Sequence, residues 1–154
     1  MNDNQAREVV ENVFCDILER VAFLFADPAK KDEIEGACEN YLCANLIFAG
    51  PEKGSVSLVV PNSLSKEIAA NVLGLEPDDD LVREGAGDAL KELLNVTCGH
   101  ILTSLLGTKM VFDLSAPEME VYDESAWREM LRAPNTVGVL VEESPVLLSF
   151  EMHN

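Results

Sequence analysis

From residue 6 to residue 25, Val9, Val10, Val13, Phe14, Ile17, Leu18, Val21 and Phe25 recur at helical spacing, with Glu and Arg between them. The spacing predicts one long amphipathic helix ending near Asp27-Pro28, because proline disfavours helix in the residue before it. A polar linker follows to about Glu39. Tyr41–Ala49 and residues 55–60 then read as two strands, joined by the turn-forming cluster Gly50-Pro51-Glu52-Lys53-Gly54. Pro61-Asn62-Ser63 opens a shorter helix through about Leu73, where Gly74 stops it.

The second half of the chain repeats this outline. Asp78-Asp79-Asp80 supplies a cap and favourable negative charge for a helix start, and the helix runs to Leu106 with Gly107 at its end. Gly85 and Gly87 weaken its first part by ~1 kcal/mol each relative to alanine, so a break or kink is expected there. An irregular stretch leads to a short strand near residues 119–122 and a short helix over 124–131. Residues 136–142 and 146–152 form a second hairpin across Glu143-Ser144-Pro145. Long helix, linker and hairpin thus occur twice, too few times and at too long a period for a solenoid. The expected class is α+β, with duplicated helix-plus-hairpin halves forming one antiparallel sheet covered by long helices, in a single domain over residues 1–154.

Composition narrows the chemistry. Hydrophobic residues make up 47% and aromatics only 6%, so the core must be built from Leu, Val, Ile and Ala. Eleven Lys and Arg against 28 Asp and Glu give a net charge of −17, which repels nucleic acid and anionic membrane. No apolar run approaches the ~20 residues of a membrane helix. The acidic, amphipathic start MNDNQAREVVENV is unlike a signal peptide, so a cytoplasmic location is expected. Of the four cysteines, Cys15 and Cys98 fall in helical patterns and Cys43 in a strand pattern, as small buried hydrophobes do. Cys15, Cys38, Cys43 and Cys98 contain no Cys-x-x-Cys pair, and only His100 and His153 could add imidazoles, so no metal site is expected. A Gly-rich phosphate loop and a Gly-x-Ser-x-Gly elbow are both lacking, which leaves nucleophilic catalysis without visible machinery.

The helix over residues 81–107 carries two stripes. At about 100° per residue, Leu90, Leu94, Thr97, Cys98, Ile101 and Leu105 share the core face. Opposite them stack Asp88, Glu92, Asn95, Gly99 and Thr103. A mid-helix glycine costs about 1 kcal/mol, so Gly99 is favoured by something else. Either another element of the chain packs closely there, or a partner's backbone approaches beside the carboxylate and the amide. Asn95 can accept and donate at once and so can hold a water in one orientation, while Glu92 could grip a cation. Hydrolysis of an acyl phosphate needs an in-line water and little else. Taken alone, Glu-x-x-Asn also describes any solvated helix face.

The larger pattern is more specific. Glu92-x-x-Asn95-x-x-x-Gly99 in a long helix, followed by Gly107 and Leu114-Ser115-Ala116-Pro117-Glu118-Met119, resembles the CheX-like branch of the CheC/CheX/FliY chemotaxis phosphatases. That resemblance implies a phosphatase acting on the aspartyl phosphate of a CheY-like response regulator. Asn95 would orient the attacking water, and Glu92 would pair with the regulator's lysine. Asp88, Gly99 and Thr103 would touch the partner. The chain would carry no cofactor of its own, any Mg²⁺ being held by the receiver, and no covalent intermediate is implied. The same helix in a non-catalytic docking or flagellar-switch module is the alternative.

Within the duplication, Glu8 matches Glu92 and Ile17-Leu18 match Ile101-Leu102, but Glu11 stands at the place of Asn95 and Cys15 at that of Gly99. A second carboxylate is a poor substitute beside a phosphoryl group, since like charges repel. The first helix therefore reads as a degenerate site, one working site per chain, as in CheX rather than two-site CheC. His100 reads as a boundary residue, and Tyr122-Asp123 occupy a neighbourhood where relatives often carry glycine. The apolar stretch 146–150 is expected as an edge strand that pairs two subunits, a homodimer with a continuous sheet as the resemblance implies.

Overall fold

The computed structural model describes residues 3–36, 39–76 and 78–153, and the expected alternation of helices and hairpins is present in them. In chain order the elements are α1 (Asp3–Ala22), β1 (Ala26–Ala29), a 3₁₀ turn (Lys31–Glu33), β2 (Tyr41–Ala49), β3 (Lys53–Pro61), α2 (Asn62–Leu73), α3 (Asp80–Leu106), β4 (Asp113–Leu114), β5 (Glu118–Tyr122), α4 (Glu124–Arg132), β6 (Thr136–Val141) and β7 (Ser144–His153).

All strand pairs are antiparallel, in the order β1-β6-β7-β3-β2-β4, with β5 also on β2. The two hairpins, β2–β3 and β6–β7, meet at the β3–β7 pair in the centre. Each half lends its short strand to the other half's hairpin: β1 pairs β6, while β4 and β5 pair β2. The class is therefore α+β with duplicated halves sharing one sheet. Period-2 alternation decides which residues face which layer. Ala44, Leu46, Phe48, Val56, Leu58, Val60, Val139 and Leu148 face the layer of α1 and α3. Tyr41, Cys43, Val59 and Leu147 face the other way, towards Trp127 of α4, whose ring stacks on Tyr41 at 4.4 Å.

Several expectations need correction. Helix α1 stops at Ala22, three residues before Phe25, because Phe23 takes a left-handed conformation at φ 56°. The Ala22 carbonyl accepts from Asn71 Nδ2 at 2.8 Å, and the chain swings into β1 on the sheet edge, where Pro28 does no harm as an edge residue. The linker is thus part strand and part 3₁₀ turn; Ala37 and Cys38 within it lie outside the described residues. Strand β7 is no edge. It lies between β6 and β3 and is paired on both sides over Leu147–Ser149, so this apolar run is not the free edge expected to pair two subunits. The turn before it is two residues, Glu142-Glu143, both at positive φ (49° and 75°), so β6 ends at Val141 and Ser144-Pro145 open β7. No break occurs at Gly85 or Gly87. Helix α3 runs unbroken for 27 residues, and a Cβ on Gly85 would stand 3.1 Å from Leu73, so that glycine serves the packing of α2 on α3. Ala69, Ala70, Ala86 and Ala89 complete this close contact.

Candidate functional site

Helix α3 begins where the acidic triplet predicts. Asp79 is the cap, its carboxylate accepting from the Leu81 amide at 2.9 Å, and this satisfies one of the free amides of the first turn. At the other end the Gly107 amide donates to the Thr103 carbonyl at 2.9 Å, and Gly107 turns the chain at φ 88°. Between these caps Leu90, Leu94, Thr97, Cys98 and Ile101 are buried, as expected; Leu105 is only half-buried. Leu93 and Leu102 join the core face too, so the apolar stripe is wider than the periodicity drew it.

Asp88, Glu92 and Thr103 are exposed, and Asn95 and Gly99 half-buried, along the opposite side of α3. The five residues therefore lie on one open face of one rigid helix. Among the described residues, no side chain of this stripe makes a hydrogen bond or ion pair within the chain. A Cβ added to Gly99 would meet nothing within 4 Å beyond its own helix. Close packing of another element of the chain therefore does not explain this glycine. His100, next to it, is exposed.

The chemistry available there is limited and clear. A carboxylate and a carboxamide one turn apart, neither held by the chain, can together engage a cation and orient a water. Among the described residues, no thiolate competes as a nucleophile: burial pushes the thiols of Cys15 and Cys43 up to about 11 and that of Cys98 up to about 12. Among the described residues, no group of three or more His, Cys, Asp or Glu is placed to hold a metal ion. No helix among the described residues is long and apolar enough to cross a membrane. Tyr122 and Asp123 turn out to be structural. Tyr122 is half-buried against the α4 cluster, its hydroxyl held well above its usual range first by that burial, and Asp123 caps α4 by accepting from the Ala126 amide at 2.8 Å.

The matching face of α1 is arranged differently. Glu8 is exposed, but Glu11 is half-buried, and burial raises its pKa against the opposing pull of Arg7. Glu11 shares a hollow of about 580 Å³ with Arg7, Lys30, Lys31 and Asp32, so β1 and the 3₁₀ turn stand beside this face of α1. Cys15 is half-buried where Gly99 is bare.

Residues 110–112, Met110-Val111-Phe112, fall in the stretch that shows no regular pattern in the sequence. Three consecutive apolar residues, separated by two residues from the helix-stopping Gly107, are the available signal. In the structure Met110, Phe112, Gly99 and Thr103 line a hollow of about 160 Å³ at the C-terminal end of the stripe.

A family model described as chemotaxis phosphatase CheX matches residues 42–130, more than half of the chain. Among solved structures, a putative chemotaxis protein of Desulfovibrio vulgaris Hildenborough is similar at 16% identity over 99% of both chains, with a TM-score of 0.71. CheX of Vibrio vulnificus is similar at 17% identity over 95% of both chains, TM-score 0.71. The CheX–CheY–BeF₃–Mg²⁺ complex of Borrelia burgdorferi supplies a further likeness at 16% identity, over 96% of this chain and 97% of that one, TM-score 0.67. No sequence among curated proteins matches this chain.

Proposed function

This chain belongs to the CheX family of chemotaxis phosphatases, and from that premise we propose that it accelerates hydrolysis of the aspartyl phosphate on a CheY-type receiver with the open face of α3. Asn95 holds the attacking water in line with the phosphorus, accepting from it and donating to it with one amide. Glu92 pairs with a lysine beside the receiver's phosphorylated aspartate, bringing the amide to the reacting centre. Asp88 and Thr103 flank the contact, and Gly99 clears room for the receiver's backbone. The Mg²⁺ that neutralises phosphoryl charge belongs to the receiver, as does the phosphorylated side chain, so no intermediate forms on this chain. One observation carries the reading: Glu92 and Asn95 are unpartnered beside a glycine whose open side faces nothing in the chain. The existence of a CheX–CheY complex in Borrelia burgdorferi supports the choice of partner.

Phosphate release from phosphorylated CheY-type receivers of the same genome tests this directly. Wild-type protein should accelerate the loss, and Asn95→Ala should reduce that acceleration on the order of a hundredfold or more, the cost of removing one positioned polar group, with an unchanged circular dichroism spectrum. Unchanged acceleration in the mutant would sink the mechanism. Receiver binding without faster phosphate loss in the wild type would make the chain a docking module instead.

A homodimer belongs to the same proposal, with its place moved from β7 to β5. That strand pairs β2 on one side and no described strand on the other. Glu118 and Glu120 on β5 repel their own kind across such a junction, so dimerisation should strengthen with salt. A monomer in light scattering at every ionic strength would remove it.

A further inference from the structure

Beyond Gly99 the surface changes character. The hollow of about 160 Å³ between α3 and the segment after it is lined by Gly99, Leu102, Thr103, Gly107, Met110, Phe112 and Leu114. Small-molecule sites usually measure ~300–1,000 Å³. This one has room for a single side chain.

The segment forming its outer wall is held firmly. Gly107 redirects the chain at φ 88°, and Phe112 packs edge-on against Phe48 of β2 with ring centres 5.9 Å apart and planes at 83°. A Cβ on Gly50, in the turn between β2 and β3, would fall 2.7 Å from the Val111 carbonyl oxygen, so that backbone sits directly on the turn. Yet the side chains on this fixed backbone point away from the core: Met110 is 43% and Val111 81% exposed, the latter the most exposed large apolar residue among those described. Single exposed apolar residues are ordinary. Here two of them sit on a braced backbone beside a side-chain-sized hollow, and Gly99 and Thr103 belong both to that hollow and to the polar stripe. A rigid apolar feature loses little freedom on association, which is where preorganised contacts gain affinity.

We propose that Met110, Val111 and the hollow beside Gly99 form an apolar anchor for the phosphorylated receiver, the hollow accepting one apolar side chain from the receiver's surface next to its phosphorylation site. The identity of the partner rests on the function proposed above; the continuity of the two surfaces through Gly99 and Thr103 assigns both to one interface. Polar chemistry and apolar docking are then separate, adjacent parts of α3 and the segment after it.

The test uses the double variant Met110→Ser/Val111→Ser, which alters only exposed side chains. Binding is measured to CheY-type receivers of the same genome loaded with beryllofluoride, and KM and kcat are measured on the phosphorylated receivers. The variant should weaken binding and raise KM about tenfold, while kcat stays within twofold of wild type. Gly50→Ala, which must displace the Val111–Phe112 backbone, should shift binding in the same direction without touching the exposed side chains. Wild-type affinity in the double variant overturns the anchor; an inactive Asn95→Ala protein in the same experiment leaves the catalytic reading standing. Weakened binding in the double variant with full activity in Asn95→Ala gives the reverse result. No binding of the wild type to any receiver overturns both.

Discussion

Helices α1 and α3 align without a gap across the duplication. Glu8 stands where Glu92 does, and Ile17-Leu18 where Ile101-Leu102 do. Both helices end against a residue of positive φ at the same relative position, Phe23 at φ 56° and Gly107 at φ 88°. Their outer faces have nonetheless diverged. On α3 an amide and a bare glycine face open ground. On α1 a carboxylate and a thiol occupy those two places, and Glu11 shares a hollow with Arg7, Lys30 and Lys31. Arg7 itself is tied to the Pro134 carbonyl at 2.7 Å and Lys31 to that of Ala133 at 2.6 Å, so these cations fasten the end of α4. The same amphipathic helix can thus serve as scaffold in one half and as candidate working surface in the other, because the core stripe is conserved between the copies while the opposite stripe is free to change.

The sharpest way to break the comparison is to truncate both helices at matched positions. Asn95→Ala should lower receiver dephosphorylation on the order of a hundredfold or more, whereas Glu11→Ala should leave it within about twofold. Equal losses would mean that α1 is no idle copy. Next in size is Gly99→Ala. An alanine there meets no neighbour, so chemical denaturation should show a gain of about 1 kcal/mol from helix propensity. Dephosphorylation should nevertheless fall about tenfold, since a displaced partner loses reacting geometry. A protein that is both more stable and fully active would end the idea that this glycine admits a partner.

Two smaller effects sharpen the α1 side. Phe23→Gly relieves a left-handed aromatic that is 69% exposed, and should raise stability by roughly 0.5–1 kcal/mol after the entropy of glycine is subtracted. The equivalent position in α3 already holds glycine, at φ 88° and ψ 174° where side chains are scarcely tolerated, so Gly107→Phe should lose at least as much. Glu11→Gln should give a gain below about 0.5 kcal/mol, screened because the site is partly solvated. The sign follows from linkage: a carboxyl whose folded pKa is raised favours the protonated native state, so its cost grows as pH rises through that pKa. The gain should therefore be present at neutral pH and vanish in acid, and a pH-independent gain would argue for a cause other than charge.

The polar stripe of α3 was legible before any coordinates because helical periodicity places residues on faces without knowledge of the neighbours. The same logic made the duplication visible. Carrying the alignment of α1 and α3 a few residues further would have set Phe23 opposite Gly107 and ended α1 correctly. The proline rule instead set the limit too late, because a helix can stop before the residue that forbids it. Strand β7 shows the opposite case. Its apolar run suits a central strand and an associating edge equally well, and only the pairing partners β6 and β3 distinguish them.

What the order of residues determined by itself is local: caps at Asp79 and Gly107, strand alternation in Tyr41–Ala49, the stripe Asp88-Glu92-Asn95-Gly99-Thr103, and its degraded sister. These depend on contacts within a few turns or on the period of one element. Tertiary structure decided the rest. It exchanged β1 with β4 and β5 between the halves, set β7 in the centre, left the Cβ direction of Gly99 open, and braced Val111 outward on the turn at Gly50. Each of those depends on groups far apart in the chain meeting or failing to meet, and no local pattern encodes whether a neighbour will be there.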